Sequence, residues 1–181
     1  MRQWRTLALL FGVWITSVCG VKADDDADTL HSVIAAMITK ISAYATLPGD
    51  GVDGDQRPVA VAVFSKDRNT LGTFEQLING KTSGGHLWRV KQVHSLAEAS
   101  KYQFVFFDDE SPDPENDWYL SAKEKGVITF SSNENKRAIF NFVLVDGKVR
   151  FDIHLGLSQM AQVKFDPRLL KLARHLKKSE E

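Results

Sequence analysis

The chain has 181 residues, 23 basic against 23 acidic side chains, and a single cysteine. A balanced charge excludes the strongly basic surface that nucleic-acid binding demands, and one cysteine excludes a disulfide framework. The first 23 residues carry Arg2 and Arg5, an apolar run over residues 7–18, and Val21-Lys22-Ala23 with small or modest residues at the two positions a signal peptidase reads. That is the pattern of a secretory signal peptide. The run falls short of the ~20 residues that cross a bilayer, and Val18 before Cys19 does not fit a lipoprotein acylation site. Cleavage after Ala23 removes Arg2, Arg5, Lys22 and Cys19, leaving 20 basic against 23 acidic residues, a net charge of −3. The remaining 158 residues or so, read as one domain over 24–181, are enough to bury roughly two thirds of their unfolded surface without covalent staples.

Apolar side chains at three- and four-residue spacing (Leu30, Ile34, Met37, Ile38, Ile41) predict a helix over residues 29–44, with Pro48-Gly49 marking its end zone. A turn-rich linker leads to a short apolar strand at 59–64. A helix follows at 73–79, closed by Gly80, then a strand at 87–93 and one or two helical turns at 95–100. The segment 102–107 (YQFVFF) is so continuously apolar that both faces must be covered, as in a central parallel strand. A helix at 117–125 and a strand at 126–131 complete this alternating stretch.

Asp146-Gly147 then reads as a two-residue type I′ turn, because both positions must reach positive φ. Strands over 138–145 and 148–155 flank it. Pairing Val145 with Lys148 places Leu144 opposite Val149, Phe142 opposite Phe151 and Phe140 opposite Ile153, which gathers six apolar side chains on one face. The other face sets Val143 against Arg150, Asn141 against Asp152 and Ile139 against His154. Helices at 157–162 and 166–178 close the chain. The second is expected to start on an Asp166 cap with Pro167 in its first turn, to present a stripe of Leu169, Leu170, Leu172, Ala173 and Leu176, and to end among basic residues. Helices alternating with strands imply right-handed crossovers. The expected fold is therefore a three-layer α/β domain: a mostly parallel sheet, helices on both faces, and a C-terminal antiparallel hairpin.

The chemical motifs are mostly negative. The five histidines show no HxxxH or HExxH spacing and the mature chain has no cysteine, so no zinc or other metal site is expected. Residues 50–55 (DGVDGD) and 108–117 (DDESPDPEND) are acidic, yet neither fits a twelve-residue calcium loop, and both read as solvated loops. Gly80-Lys81-Thr82 lacks the first glycine of a phosphate loop, and no serine lies in a GxSxG elbow. No catalytic residue and no cofactor are assigned. Two groups of residues remain. Arg150, Asp152 and His154, with Asn141 opposite, form a polar row in which Asp152 reaches both Arg150 and His154; the row is read as a structural ion network beneath a helix, with an acid–base pair or pH sensor as the sharper alternative. Trp118, Tyr119 and Trp88 lie near polar, flexible segments and are the candidate anchors for a protein partner.

The run FNFVLVDGKVRFDIHL, followed by DPRLLKLARHL, resembles the C-terminal half of the YfiR-like family of bacterial periplasmic proteins, which reads GFVLxDxRVRFEINL before a Leu- and Arg-rich closing helix. Residues 35–48 (AAMITKISAYATLP) are similar to that family's opening helix, and residues 57–67 (RPVAVAVFSKD) sit where it has its first strand. The resemblance spans nearly all of the mature chain. It implies a periplasmic regulatory binding protein without catalysis, whose partner is the periplasmic region of an inner-membrane signalling protein such as a diguanylate cyclase or sensor kinase. The best-known kind represses the cyclase and lowers cyclic di-GMP. A homodimer is implied too, since relatives tend to dimerise. The chain departs from the family in lacking the cysteines of the redox-responsive repressor and in carrying Asn135-Lys136-Arg137 where a Gly-Gly stretch often precedes the hairpin. The alternative reading is a periplasmic solute-binding module or small enzyme using the Arg150 face or the acidic loops.

Overall fold

A computed structural model describes residues 22–48 and 58–178. Residues 1–21 of the expected signal peptide (1–23) and the acidic loop at 50–55 lie outside the described residues.

Helix α1 (Lys22–Ile41) opens the described chain and continues as a 3₁₀ turn, Ser42–Tyr44, into the two-residue strand β1 (Ala45–Thr46). Strand β2 (Val59–Phe64) precedes α2 (Arg68–Ile78). This helix starts five residues before the expected position because the Asp67 carboxylate accepts the backbone N–H groups of Asn69 and Thr70, and so caps a first turn that has no apolar periodicity. Strand β3 (Thr82–Ser83), strand β4 (His86–Gln92), the single turn α3 (Leu96–Ala99), strand β5 (Phe104–Phe107), helix α4 (Asn116–Ser121) and strand β6 (Ile128–Ser131) follow. The hairpin β7 (Phe140–Val145) and β8 (Lys148–His154) leads to α5 (Leu155–Met160), β9 (Lys164–Phe165), α6 (Pro167–Leu170) and β10 (Leu176–Lys177).

Eight strands form one sheet in the order β10-β8-β7-β6-β5-β2-β4-β3, while β1 pairs with β9 apart from it. Strands β4, β2, β5, β6 and β7 run parallel to one another, β3 pairs antiparallel with β4 at one edge, and the hairpin turns antiparallel at β8. The turn residues Asp146 and Gly147 have φ of 50° and 69°, and the hairpin register is the one set by the apolar face: Phe140 opposite Ile153, Phe142 opposite Phe151, Leu144 opposite Val149. Strand β5 is buried throughout. Phe106 meets His31 of α1 and Phe74 of α2, at ring distances of 5.6 and 4.7 Å, while the next residue, Phe107, meets Trp118 of α4 at 5.9 Å on the opposite face. Alternation along a single strand thus shows both faces covered, which is the three-layer arrangement.

The C-terminal segment departs from expectation. Helix α6 lasts one turn, and residues 174–177 run extended beside β8: the Arg174 N–H donates to the Phe151 carbonyl at 2.8 Å, the Ile153 N–H to the His175 carbonyl at 3.0 Å, and Leu176 stands parallel to Ile153. Leu172 and Leu176, expected in a buried stripe, are 69% and 42% exposed. The free edge of β8 offers a ladder of unpaired backbone groups, and the tail covers it.

Candidate functional site

The polar row on the hairpin's outer face assembles around a different cation. Asp152 is buried and accepts two hydrogen bonds from the Arg174 guanidinium, at 2.8 and 2.7 Å, and Arg174 also reaches Glu134 at 3.1 Å. Burial pushes the Asp152 carboxyl up, yet the hydrogen bonds and charge of Arg174, with His175 and Lys177 behind it, outweigh this and hold it below its ordinary value. Arg150, expected as the partner, is exposed instead. Position 150 lies two residues toward the turn, whereas Arg174 runs beside β8 with its N–H on the Phe151 carbonyl, which brings its guanidinium to Asp152. His154 is buried, and its Nδ1 accepts the Leu157 N–H at 3.3 Å, capping α5. Asn141 donates to the carbonyls of Asn133 and Lys136, so it fastens the loop between β6 and β7. The row is therefore a set of anchors for a loop, a tail and a helix start.

The aromatic candidates separate by burial. Trp88 and Tyr119 are 1% and 0% exposed, so as anchors for a partner they are corrected: both are core. Trp88 packs on Phe104 and donates its indole N–H to the Ser83 carbonyl. Tyr119 donates its hydroxyl to the Arg137 carbonyl at 2.8 Å and meets the Thr129 hydroxyl at 2.9 Å. Trp118 stays half-buried, its indole N–H donating to the Leu96 carbonyl, and its neighbour Leu120 is 47% exposed. The acidic loop at 108–117 is also less free than its composition suggests. Lys136, whose side chain is 7% exposed, donates to the carbonyls of Asp109 and Ser111, and the Arg137 backbone N–H donates to Asp113.

That clamped loop forms one wall of a polar crevice at the carboxyl ends of β2, β5 and β6, which the motif search did not find. His31 of α1, Asp67 and Thr70 at the start of α2, Asp108 to Glu110 after β5, and Ser132 after β6 line a hollow of about 170 Å³. The hydrogen-bond chain within it assigns a tautomer. Thr70 Oγ1 donates its only hydrogen to Asp67 Oδ2 at 2.8 Å, so at 3.2 Å from His31 Nδ1 it must accept, and Nδ1 carries the proton. Nε2 then faces Ser132 Oγ at 3.3 Å. The N–H and hydroxyl of Thr70 hold the Asp67 carboxyl below its ordinary value, with the His31 ring contributing. On the other side of Asp108 a second hollow, of about 420 Å³, is bounded by Phe64, Lys66, His94, Leu96, Glu110 and Pro112. The residues of the two hollows come from α1 and from the chain following β2, β4, β5 and β6, so only topology brings them together; the signal available in sequence was strand order, not spacing. Among the described residues no group of three or more histidine, cysteine or carboxylate side chains is arranged to hold a metal ion.

Fold and crevice together define a three-layer α/β protein, with polar loops gathered at the carboxyl ends of its parallel strands. The profile of the YfiR/HmsC-like family matches residues 31–174, most of the chain, and the protein belongs to that family. A search of curated proteins found no significant match.

Proposed function

We propose that this protein is a periplasmic regulatory binding protein that controls a membrane signalling protein, a diguanylate cyclase in the first instance, by protein contact. The observation that carries this reading is the family match over residues 31–174. The N-terminal segment, with its two arginines and apolar run, supports the location. No helix among the described residues is long and apolar enough to cross a membrane. Redox control through disulfides forms no part of the reading, because the sequence after residue 23 has no cysteine. Of the three aromatics weighed for the partner contact, Trp118 is the one that stays at the surface, and we place the contact on Trp118 and Leu120 of α4, a half-buried aromatic beside an exposed leucine.

The test is copurification of the tagged chain with membrane proteins, together with cyclic di-GMP measured in a deletion strain. A recovered cyclase and an altered cyclic di-GMP level are expected, and Leu120→Asp should reduce recovery while leaving the fold intact. Recovery of no membrane protein, with cyclic di-GMP unchanged, sinks the reading. Light scattering on the exported chain decides between a monomer and the homodimer this reading includes.

A further inference from the structure

We propose that the crevice astride Asp108 binds a small organic cation, a primary amine whose ammonium pairs with Asp108 and whose apolar body lies on Phe64, Leu96 and Pro112. Three observations converge on it. The chain runs from β2 to β4 on one side and returns to β5 on the other, so the strand order reverses between β2 and β5. Open α/β sheets take their ligands in the crevice outside the carboxyl ends at such a reversal, and both hollows lie there.

The second observation is Asp108 itself. It is 9% exposed and lines both hollows. Its Oδ1 accepts the Ser111 N–H at 2.8 Å, while Oδ2 receives no hydrogen bond or ion pair from any described residue. Oδ2 is not one of the fully buried, unpartnered atoms, so it stays open where Asp108 lines the hollows and leaves a negative charge there for a ligand to neutralise. A cation-bearing ligand does so; an anion does not.

The third is the composition of the wall. Phe64, Leu96 and Pro112 form an apolar side, Glu110 stands beside Asp108, and the volume of about 420 Å³ suits a small molecule. The wall's shape is held from outside the crevice: the Trp118 indole fixes the Leu96 carbonyl at 2.8 Å, and Lys136 fixes the carbonyls of Asp109 and Ser111. Lys66 and His94 line the same hollow, so an amine that also bears a carboxylate fits without a like-charge clash.

The probes are isoamylamine, its carboxylated counterpart leucine, and isovalerate, which keeps the apolar body and lacks the amine. Each is titrated into the isotopically labelled exported chain and followed by backbone amide shifts. Saturable changes with isoamylamine, centred on Phe64, Leu96 and residues 108–111, are expected, and leucine moving the same amides supports the same site. Asp108→Asn keeps the Oδ1 acceptor for Ser111 and removes the charge; amine affinity should fall by about tenfold or more. Should that variant not fold, Glu110→Gln, at an exposed position, carries the test with a several-fold loss expected. Absence of a saturable shift with both amines at tens of millimolar overturns the proposal. So does isovalerate binding in preference to isoamylamine, or unchanged affinity in the variants. The assay needs no membrane partner, so its failure is distinguishable from failure of the regulatory reading.

Discussion

Replacing Arg174 by alanine tests the C-terminal clamp. The substitution leaves Asp152, 1% exposed, as a buried carboxylate without its guanidinium. Breaking a buried pair by removing one partner costs about 3–5 kcal/mol; the Arg174 side chain is 28% exposed, so water relieves part of this and the lower end, about 3 kcal/mol, applies here. In a domain of this size that is a fall in Tm of roughly 6–12 °C. The Glu134 arm, with its carboxylate half-exposed, should contribute under about 1 kcal/mol when removed alone. Urea and thermal unfolding of R174A, E134A, D152N and D152N/R174A, followed by circular dichroism, give the coupling between 152 and 174, expected at about 2 kcal/mol or more. The pH dependence adds a second readout. The unfolded Asp152 takes up its proton near pH ~3.9, and the folded one only at lower pH, so between those values the unfolded state holds more protons and stability rises with pH. The contribution is complete above roughly pH 5 and is lost as pH falls through the folded value. In R174A burial acts on the carboxyl without its cation, so the gap between wild type and variant should widen from about pH 3 to pH 7. A coupling below about 0.5 kcal/mol, or a gap that stays flat with pH, refutes the clamp as the main hold on the tail.

Two glycines of similar φ should respond differently to alanine. At Gly147 (φ 69°) an added Cβ meets nothing within 4 Å, so only the left-handed backbone is penalised, by about 1 kcal/mol, whereas at Gly126 (φ 66°) the same Cβ runs into Pro48 Cδ and the loss should be about 1–3 kcal/mol greater; equal losses in chemical denaturation would remove the packing argument. Trp88→Ala should cost about 3–5 kcal/mol while Leu120→Ala stays within about 0.5, and the reverse order would restore Trp88 as a surface anchor. Tyr119→Phe removes a buried hydroxyl that holds the Arg137 carbonyl and the Thr129 hydroxyl, for a loss of about 1–3 kcal/mol by urea unfolding.

The hairpin was legible because its information is local and redundant. Turn chemistry at Asp146-Gly147 and six alternating apolar residues independently demand one register, and a slip by one residue would expose Phe140, Phe142 and Phe151 together. Strand β5 was legible for a related reason, since FVFF admits no solvent face. The crevice was not legible. His31, Asp67, Asp108 and Ser132 are separated by 36, 41 and 24 residues along the chain, and no periodicity connects side chains that meet only because β2, β5 and β6 end side by side.

The misread tail shows which forces local patterning leaves out. Asp166 and Pro167 do begin a helix, with the Asp166 carboxylate accepting the Arg168 N–H at 2.7 Å, so the start signals act as written. Continuing that helix through residue 178 would have added backbone hydrogen bonds and a leucine stripe. It would also have left two things unmade: the backbone groups along the edge of β8, and the charge of Asp152 beneath it. A few helical turns at good propensity differ from the extended state by only tenths of a kcal/mol per residue, whereas an orphaned buried carboxylate costs several. The extended tail meets both demands at once, because the residue that supplies the guanidinium also supplies the N–H for the Phe151 carbonyl. Leu172 and Leu176 are left exposed as a result. A helix-forming pattern therefore yields to a single buried charge two strands away in sequence, and an Asp on the core-side half of an edge strand is the mark that foretells it.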